Sequence, residues 1–244
     1  MAKRPSHHPP AAGVIIRRPT TDDPGYLYSS DGVVGFGTRE FHVAAIPRSR
    51  AVEMILHNHY SGRIVQNSYV HLGVHIGGAL VGCLQLGYAM NPMHVGKVVA
   101  NTGPREHLEL NRMWLDDAAP RNSESRALSY TMKYLKRALP AVRWVQSFAD
   151  ERCGRWGVVY QAAGFLYLGS HRTEFYEVDG QTYHGMLLTA HGKGGQRGQV
   201  LRENLGRATR RSLRQFRYLF FLKPSARRDL RMRPRPYPKP ERDR

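Results

Sequence analysis

Polar side chains interrupt segments of this chain that otherwise read as core. Asp150 follows directly on the strand-forming run Arg143 to Phe148, where a carboxylate can act as a general base or orient a partner. Arg112 sits inside the apolar run Leu108 to Leu115, and burying an unpaired guanidinium there is costly. Tyr160 lies on a short helical run, Val158 to Ala163, that Gly164 ends. Each has a plainer explanation too: an ion pair of Arg112 with Glu109 or Asp150, an N-cap at Asp150, core packing of Tyr160. The chemistry such a set supports is fixation of a carbonyl or phosphate by Arg112 and proton transfer at Asp150.

Two more groups bear on chemistry. His57, His59 and Tyr60 lie in HNHYSGR (57–63), at the end of a helical run. Imidazole and phenol oxygen are metal donors, but the spacing is not diagnostic and no HExxH or CxxC pattern accompanies it. A helix-terminal histidine favoured by the dipole, beside a packing tyrosine, fits equally. The second group is Arg121, Ser125 and Arg126, around the start of a helix. Its N-terminus and two guanidiniums suit a phosphate, and Ser125 also fits a cap. The turn before it, Asp116 to Ser125, holds no glycine, so backbone amides approach an anion less freely there.

The elements that must position these residues follow from pattern. Residues 1–25 are Pro-rich and expected to be a loosely ordered arm. Gly35 to Gly37 reads as a turn, Phe41 to Ile46 as the first strand, and Arg48 to about His59 as a helix started by Pro47. Tyr69 to Ile76 and Ala79 to Tyr88 alternate about Gly77-Gly78, which predicts a hairpin. After a loop from Asn91 to Pro104, Leu108 to Leu115 is a strand. About Ser123 to Ala138 is an amphipathic helix, with Ser123 as a fitting N-cap. Val142 to Leu168 then reads strand, acidic turn, a helix opened by Gly154 and Gly157, glycine cap, strand. Arg172 to Val178 is expected as a last strand paired with the 182–188 run. Leu201 to Arg217 reads as a basic helix and 223–244 as an Arg/Pro-rich tail. The sum is an α/β (or α+β) domain over 26–190 with a basic extension over 191–244. A turn between a strand's carboxyl end and a helix is where such folds place chemistry.

Net charge is +18, and the last 54 residues hold +13 of it. That concentration points to a polyanion, nucleic acid above all. No apolar run approaches the roughly 20 residues that span a membrane, and the N-terminus lacks a secretory h-region. Two cysteines, Cys83 and Cys153, imply no disulfide framework, so the cytosol is the expected location.

HNHYSGR, ELNRMWL (109–115) and FADERCGRWGVVYQAAGF (148–165) together resemble the Mom family, DNA-modification proteins of Mu-like phages with a GNAT-like fold. The resemblance spans most of residues 40–190. It implies a central mixed sheet flanked by helices, with 108–115 and 143–148 as neighbouring strands that splay. It implies conversion of adenine in phage DNA to N6-carbamoylmethyladenine, which blocks host restriction. The site residues it implies are His59, Tyr60, Arg112, Ser125, Asp150 and Tyr160, with Tyr160 as acid to the leaving group and iron as a candidate metal at His59 and Tyr60. Arg112, Asp150, Tyr160 and Tyr60 are expected to converge on one polar cleft. Arg121, Ser125 and Arg126 would meet the donor's phosphates.

Double-stranded DNA is the expected partner, through Arg207, Arg210, Arg211, Arg214 and Arg217 on the basic helix and Arg227 and Arg228 on the tail. The donor candidates are an acyl-CoA, which the glycine-free turn disfavours, and a glycyl-tRNA, which the basic surface would also suit. A homodimer is compatible with the sequence. The competing readings are a non-catalytic basic DNA-binding protein and an acetyltransferase of protein or small molecules.

Overall fold

The computed structural model describes residue 9 and residues 12–151, 156–189 and 195–239. In chain order the elements are β1 (Gly25–Ser29), β2 (Gly32–Gly37), β3 (Phe41–Ala45), α1 (Arg48–Asn58), β4 (Ser68–Ile76), β5 (Ala79–Gly87), α2 (Val95–Val98) and β6 (His107–Leu115). There follow α3 (Ser123–Ala138), β7 (Trp144–Asp150), α4 (Val158–Ala162), β8 (Leu166–Val178), β9 (Gln181–His184), α5 (Met186–Thr189), α6 (Gly195–Glu203) and β10 (Thr209–Phe221). Among the described residues the strands form one mixed sheet in the order β1-β2-β3-β4-β5-β6-β7-β10-β8-β9.

The local reasons are those the pattern suggested. Gly77 and Gly78 both take positive φ, as a two-residue hairpin loop requires, and β4 and β5 pair across them. The short α4 ends in a full Schellman motif: Gly164 (φ +78°) donates to Gln161 O and Phe165 to Tyr160 O. At its start Gly157 (φ +76°) is needed because a Cβ there would lie 2.4 Å from the Tyr218 ring. The amphipathic α3 buries Ala127, Leu128, Met132 and Leu135 on the sheet and ends with Lys136 and Arg137, which suit its negative pole.

Two faces of the sheet are covered differently. Leu84, Leu86, Leu108, Leu110, Val145 and Ala149 pack with α3 and α4 in the main core. On the other face Cys83 and Trp114 pack under α1, while Trp144 and Leu219 pack under α2 and the C-terminal segment.

Among the described residues only β6 and β7 pair in parallel, from His107–Trp144 to Glu109–Gln146. Beyond that point β6 follows β5 and β7 follows β10, so the sheet forks.

Several expectations are corrected. Two strands precede Phe41, and Gly35 to Gly37 lie in β2 rather than in a turn. The 91–104 loop contains α2. Asn122, with left-handed backbone, holds the cap position of α3 instead of Ser123. Gly157 occupies that of α4, which rules out Asp150 as its N-cap. The 168–172 break is absent: β8 runs unbroken for 13 residues.

The largest change is at the C-terminus. Leu201 to Arg217 is not one helix: α6 stops at Glu203 and β10 enters the sheet between β7 and β8. Phe216, Tyr218 and Phe220 face the core while Gln215, Arg217 and Leu219 face the other side. The slot between β7 and β8 outweighs helix propensity there, because open strand edges need backbone partners. The sheet therefore does not end at residue 190. Nor do residues 224–239 hang free. Arg231 N donates to Val98 O, Ala100 N to Asp229 O, Arg235 N to Tyr167 O and Tyr237 Oη to Phe165 O, and Arg143 pairs with Asp229. This strap covers the Trp144 cluster with Leu230 and Met232. Cys153 and Gly154, and parts of the N-terminal arm and of the tail, lie outside the described residues.

Candidate active site

The polar residues gather on the face of the fork that carries α1 and the strap. In β7, Trp144, Gln146, Phe148 and Asp150 share that face, opposite Val145 and Ala149 in the core. Register places Arg217 beside Phe148 and Gln215 beside Asp150, and His171 of β8 beside Gln215. Glu109 of β6 stands beside Gln146 at the last parallel pair. The result is a polar floor across four strands, bounded by the α1 cluster on one side and the strapped cluster on the other.

Its hydrogen bonds run in one line. Arg217 donates to Gln146 Oε1 (3.0 Å), and Gln146 Nε2 donates to Glu109 Oε2 (2.7 Å). The amide orientation is forced, since a guanidinium only donates. Burial pushes the Glu109 carboxyl upward from its ordinary value, against the Gln146 bond and the nearby Arg217 and Arg112. Burial likewise lowers Arg217, against the pull of Glu109. Arg217 also lies over the Phe148 ring at 4.7 Å, and His171 meets that ring edge-on.

Arg112 reaches the same face further along β6. Its Nε donates to Arg63 O (2.9 Å) and its Nη1 to Asn111 O (2.7 Å). Arg63 in turn donates to Thr182 O and lies over Tyr183. Arg112 thus ties the HNHYSGR loop to the sheet. In that loop His59 is buried and Tyr60 is 62% exposed, their rings 4.3 Å apart. The Ser61 amide donates to His59 Nδ1, which fixes that nitrogen as an acceptor.

The other expected residues sit elsewhere. Arg121, Ser125 and Arg126 line a cleft of about 550 Å³ at the start of α3, with Phe41, Ile76 and Ala162. Arg126 lies over Phe41 at 4.5 Å and bonds Tyr130 Oη; Ser125 Oγ donates to Asn122 O. Tyr160 packs in the main core against Tyr218 and Phe165. These belong to the α3 and α4 face, so one cleft does not hold them all. Asp150 and Arg112 share a face; Tyr160 and Ser125 are across the sheet from them.

Iron does not fit well. His59 Nδ1 is engaged, and His59 and Tyr60 offer two donors together. Among the described residues no group of three His, Cys, Asp or Glu side chains converges.

The arginines assigned to nucleic acid are also redistributed. Arg207, Arg210, Arg211 and Arg214 pair with Asp179, Glu174, Glu177 and Glu151. Arg217 is in the floor. Arg227 and Arg228 stand exposed on the strap.

The Mom protein family matches residues 40–239. A curated relative, the methylcarbamoylase mom of Escherichia phage Mu, is 51% identical over 210 residues, 85% of this chain and 87% of that protein. The chain belongs to the Mom protein family. The family match takes in β10 and the strap, which agrees with their place inside the fold. Among solved structures, the ribosomal-protein-S5-alanine acetyltransferase from Vibrio fischeri is 11% identical with TM-score 0.46, covering 78% of this chain and 98% of that one. The Salmonella typhimurium acetyl transferase that modifies the N-terminal serine of ribosomal protein L7/L12 is 11% identical with TM-score 0.45, covering 75% and 96%.

Sequence reading of this Mom-family chain missed Gln146, Arg217 and His171 as floor residues and met Glu109 only as an ion-pair partner. A signal existed: Gln146, Phe148 and Asp150 recur at spacing two, as one face of a strand must.

Proposed function

We propose that this chain transfers an acyl group to N6 of adenine in duplex DNA and yields N6-carbamoylmethyladenine, which shields phage DNA from host restriction. The observation that carries the reading is the 51% identity, across most of both chains, to the Mu protein whose name is methylcarbamoylase mom. The floor favours catalysis over a DNA-binding role alone. A protein that only binds phosphates needs no buried Glu109, Gln146 and Asp150 on an inner sheet face, where desolvation is costly.

Adenine N6 is reached by extruding the base, at a cost of a few kcal/mol. Tyr60, exposed and backed by His59, is the platform on which that base stacks. Asp150 takes the N6 proton or orients its acceptor. Arg112 holds the Tyr60 loop against the sheet. Arg121, Ser125 and Arg126 receive the donor's phosphates, and Tyr160 protonates the leaving group through the fork. The exposed strap cations Arg227 and Arg228 meet the DNA backbone, which gives affinity without sequence information. Mass spectrometry of nucleosides from plasmid DNA of expressing cells is the test; absence of modified deoxyadenosine refutes the reading.

Glycyl-tRNA is the donor that suits both the product and the basic surface. N6 attacks the glycyl carbonyl and the ester C–O bond breaks, leaving N6–CO–CH2–NH2. The free amine then attacks C6 through a five-membered ring. The C6–N6 bond breaks and a proton passes to the released amide nitrogen, giving C6–NH–CH2–CO–NH2. Cells fed 15N-glycine should carry the label on the nitrogen bound to C6. Unlabelled product excludes glycine and returns the choice to an acyl-CoA.

A further inference from the structure

Arg217 is a cation placed where the floor narrows. Its backbone pairs with Phe148 of β7, and on the β8 side it lies at the register shift between Phe216 and Tyr218, so the β7 register sets the side chain's direction. The guanidinium is half-buried: burial is the largest influence on it and lowers its basicity. Yet no carboxylate among the described residues forms a salt bridge with it. Of its five N–H donors, one is engaged, to Gln146 Oε1; a ring face, Phe148, covers one side. The neighbouring arginines of β10 differ. Arg210, Arg211 and Arg214 each hold a glutamate.

A partly buried guanidinium with unused donors is costly unless something completes it. Gln146 explains why a nearby carboxylate does not. It stands between Arg217 and Glu109 and separates the two charges by an amide, which leaves the guanidinium's positive field directed into the fork. Arg112, the other arginine on this face, has Nε and Nη1 committed to backbone carbonyls. We infer that Arg217 is a substrate-binding residue of the transfer step, donating to the carbonyl oxygen of the acyl donor and to the oxyanion formed there when N6 attacks.

In that step the N6 lone pair forms the C–N bond and the carbonyl π pair moves onto oxygen, next to Arg217. When the pair returns, the bond to the leaving group breaks, the leaving group takes a proton, and N6 gives one up. A preorganised donor in a water-poor site stabilises such an oxyanion more than the uncharged carbonyl, and its loss costs about 100- to 1,000-fold in rate. Phe148 below and Gln146 beside it hold the guanidinium plane, so lysine, a point charge without the planar fork, is a poor substitute.

This inference rests on the acyl-transfer reading, and the test separates the two. The full-length wild type, Arg217→Gln and Arg217→Lys are expressed, and modified deoxyadenosine in plasmid DNA is quantified early in induction. The purified proteins are titrated with a duplex oligonucleotide over a range of salt, and melted. Expected are an at least 100-fold fall in initial modification for Arg217→Gln and a smaller fall for Arg217→Lys. Duplex affinity, its salt slope and the melting temperature should stay near wild type. A wild type without modified adenine overturns the transferase reading. With an active wild type, near-normal modification by Arg217→Gln overturns the role of Arg217 alone. So does a loss of about one unit of salt slope, which marks a phosphate contact instead. Should Arg217→Gln melt early, Arg217→Lys, which keeps the charge, decides: full activity in a stable lysine variant also overturns the role.

Discussion

Glu109 and Arg112 lie three residues apart on β6 and face the same side of the sheet. In a regular strand, residues i and i+3 point to opposite faces. The register explains the exception: Leu86 pairs with Leu110 and Gln85 with Arg112, so Asn111 is an extra residue, a β-bulge. Asn111 is fixed in turn by Nδ2 donating to Ser68 Oγ (2.9 Å). The bulge sits just past the point where β6 and β7 part, and it turns Arg112 toward the Arg63 carbonyl.

Arg112→Ala should abolish DNA modification and also release the loop it anchors. Hydrogen exchange of amides 59–63 should then rise while β6 stays protected. Normal protection together with lost activity would mean that Arg112 acts on the substrate alone.

Asp150→Asn keeps the shape but removes the charge and turns one acceptor oxygen into a donor. Loss of modification with unchanged melting and duplex affinity is expected, measured by nucleoside mass spectrometry and calorimetry. Retained activity would assign the proton transfer elsewhere.

Tyr60→Ala should weaken binding of a duplex with an unpaired adenine by about 1–3 kcal/mol, the worth of one stacked base, and Tyr60→Phe should not. A fluorescence titration with that duplex compares them. Equal affinity of all three proteins would remove Tyr60 as the platform.

Joint replacement of Arg227 and Arg228 by Ala should flatten the salt dependence of duplex binding by about 0.9 per lost phosphate contact. Replacing the ion-paired Arg210 should change the slope less, because Glu174 already holds its charge. The reverse ranking would place the DNA on the β10 side.

Acid should destabilise the fold through its buried histidines. His42 stacks on His75 at 4.7 Å, and burial, then His75 and Arg18, push it down to about 4. An unfolded histidine titrates near 6.5, so between about 6.5 and 4 the unfolded chain binds a proton that the fold refuses. Stability is therefore present above about pH 6.5 and lost as pH falls toward 4, by about 3 kcal/mol from this residue. His42→Phe keeps the ring stack and should make the stability–pH slope shallower by about 1 kcal/mol per pH unit between pH 6 and 4.5. Urea unfolding across that range reads it; an unchanged slope would mean that His42 is protonated in the fold.

Much was legible in the sequence. The Gly77-Gly78 hairpin, the amphipathic α3, the α4 glycine cap and the strand before Asp150 follow from local rules, because period and turn chemistry act over a few residues. The three motifs likewise placed the chain in its family. The resemblance made β6 and β7 neighbours, as they are, but the place of β10 in the sheet was not legible. Whether Leu201 to Arg217 is helix or strand depends on an open slot between β7 and β8, to which distant residues contribute. The strap depends on carbonyls of Val98 and Tyr167. Charge count located the basic residues, but only the tertiary structure decided which arginines meet carboxylates, which stand exposed and which one, Arg217, turns into the fork. The bulge at Asn111 is of the same kind: one unpaired residue, invisible to a period of two, sets which face Arg112 shares with Asp150.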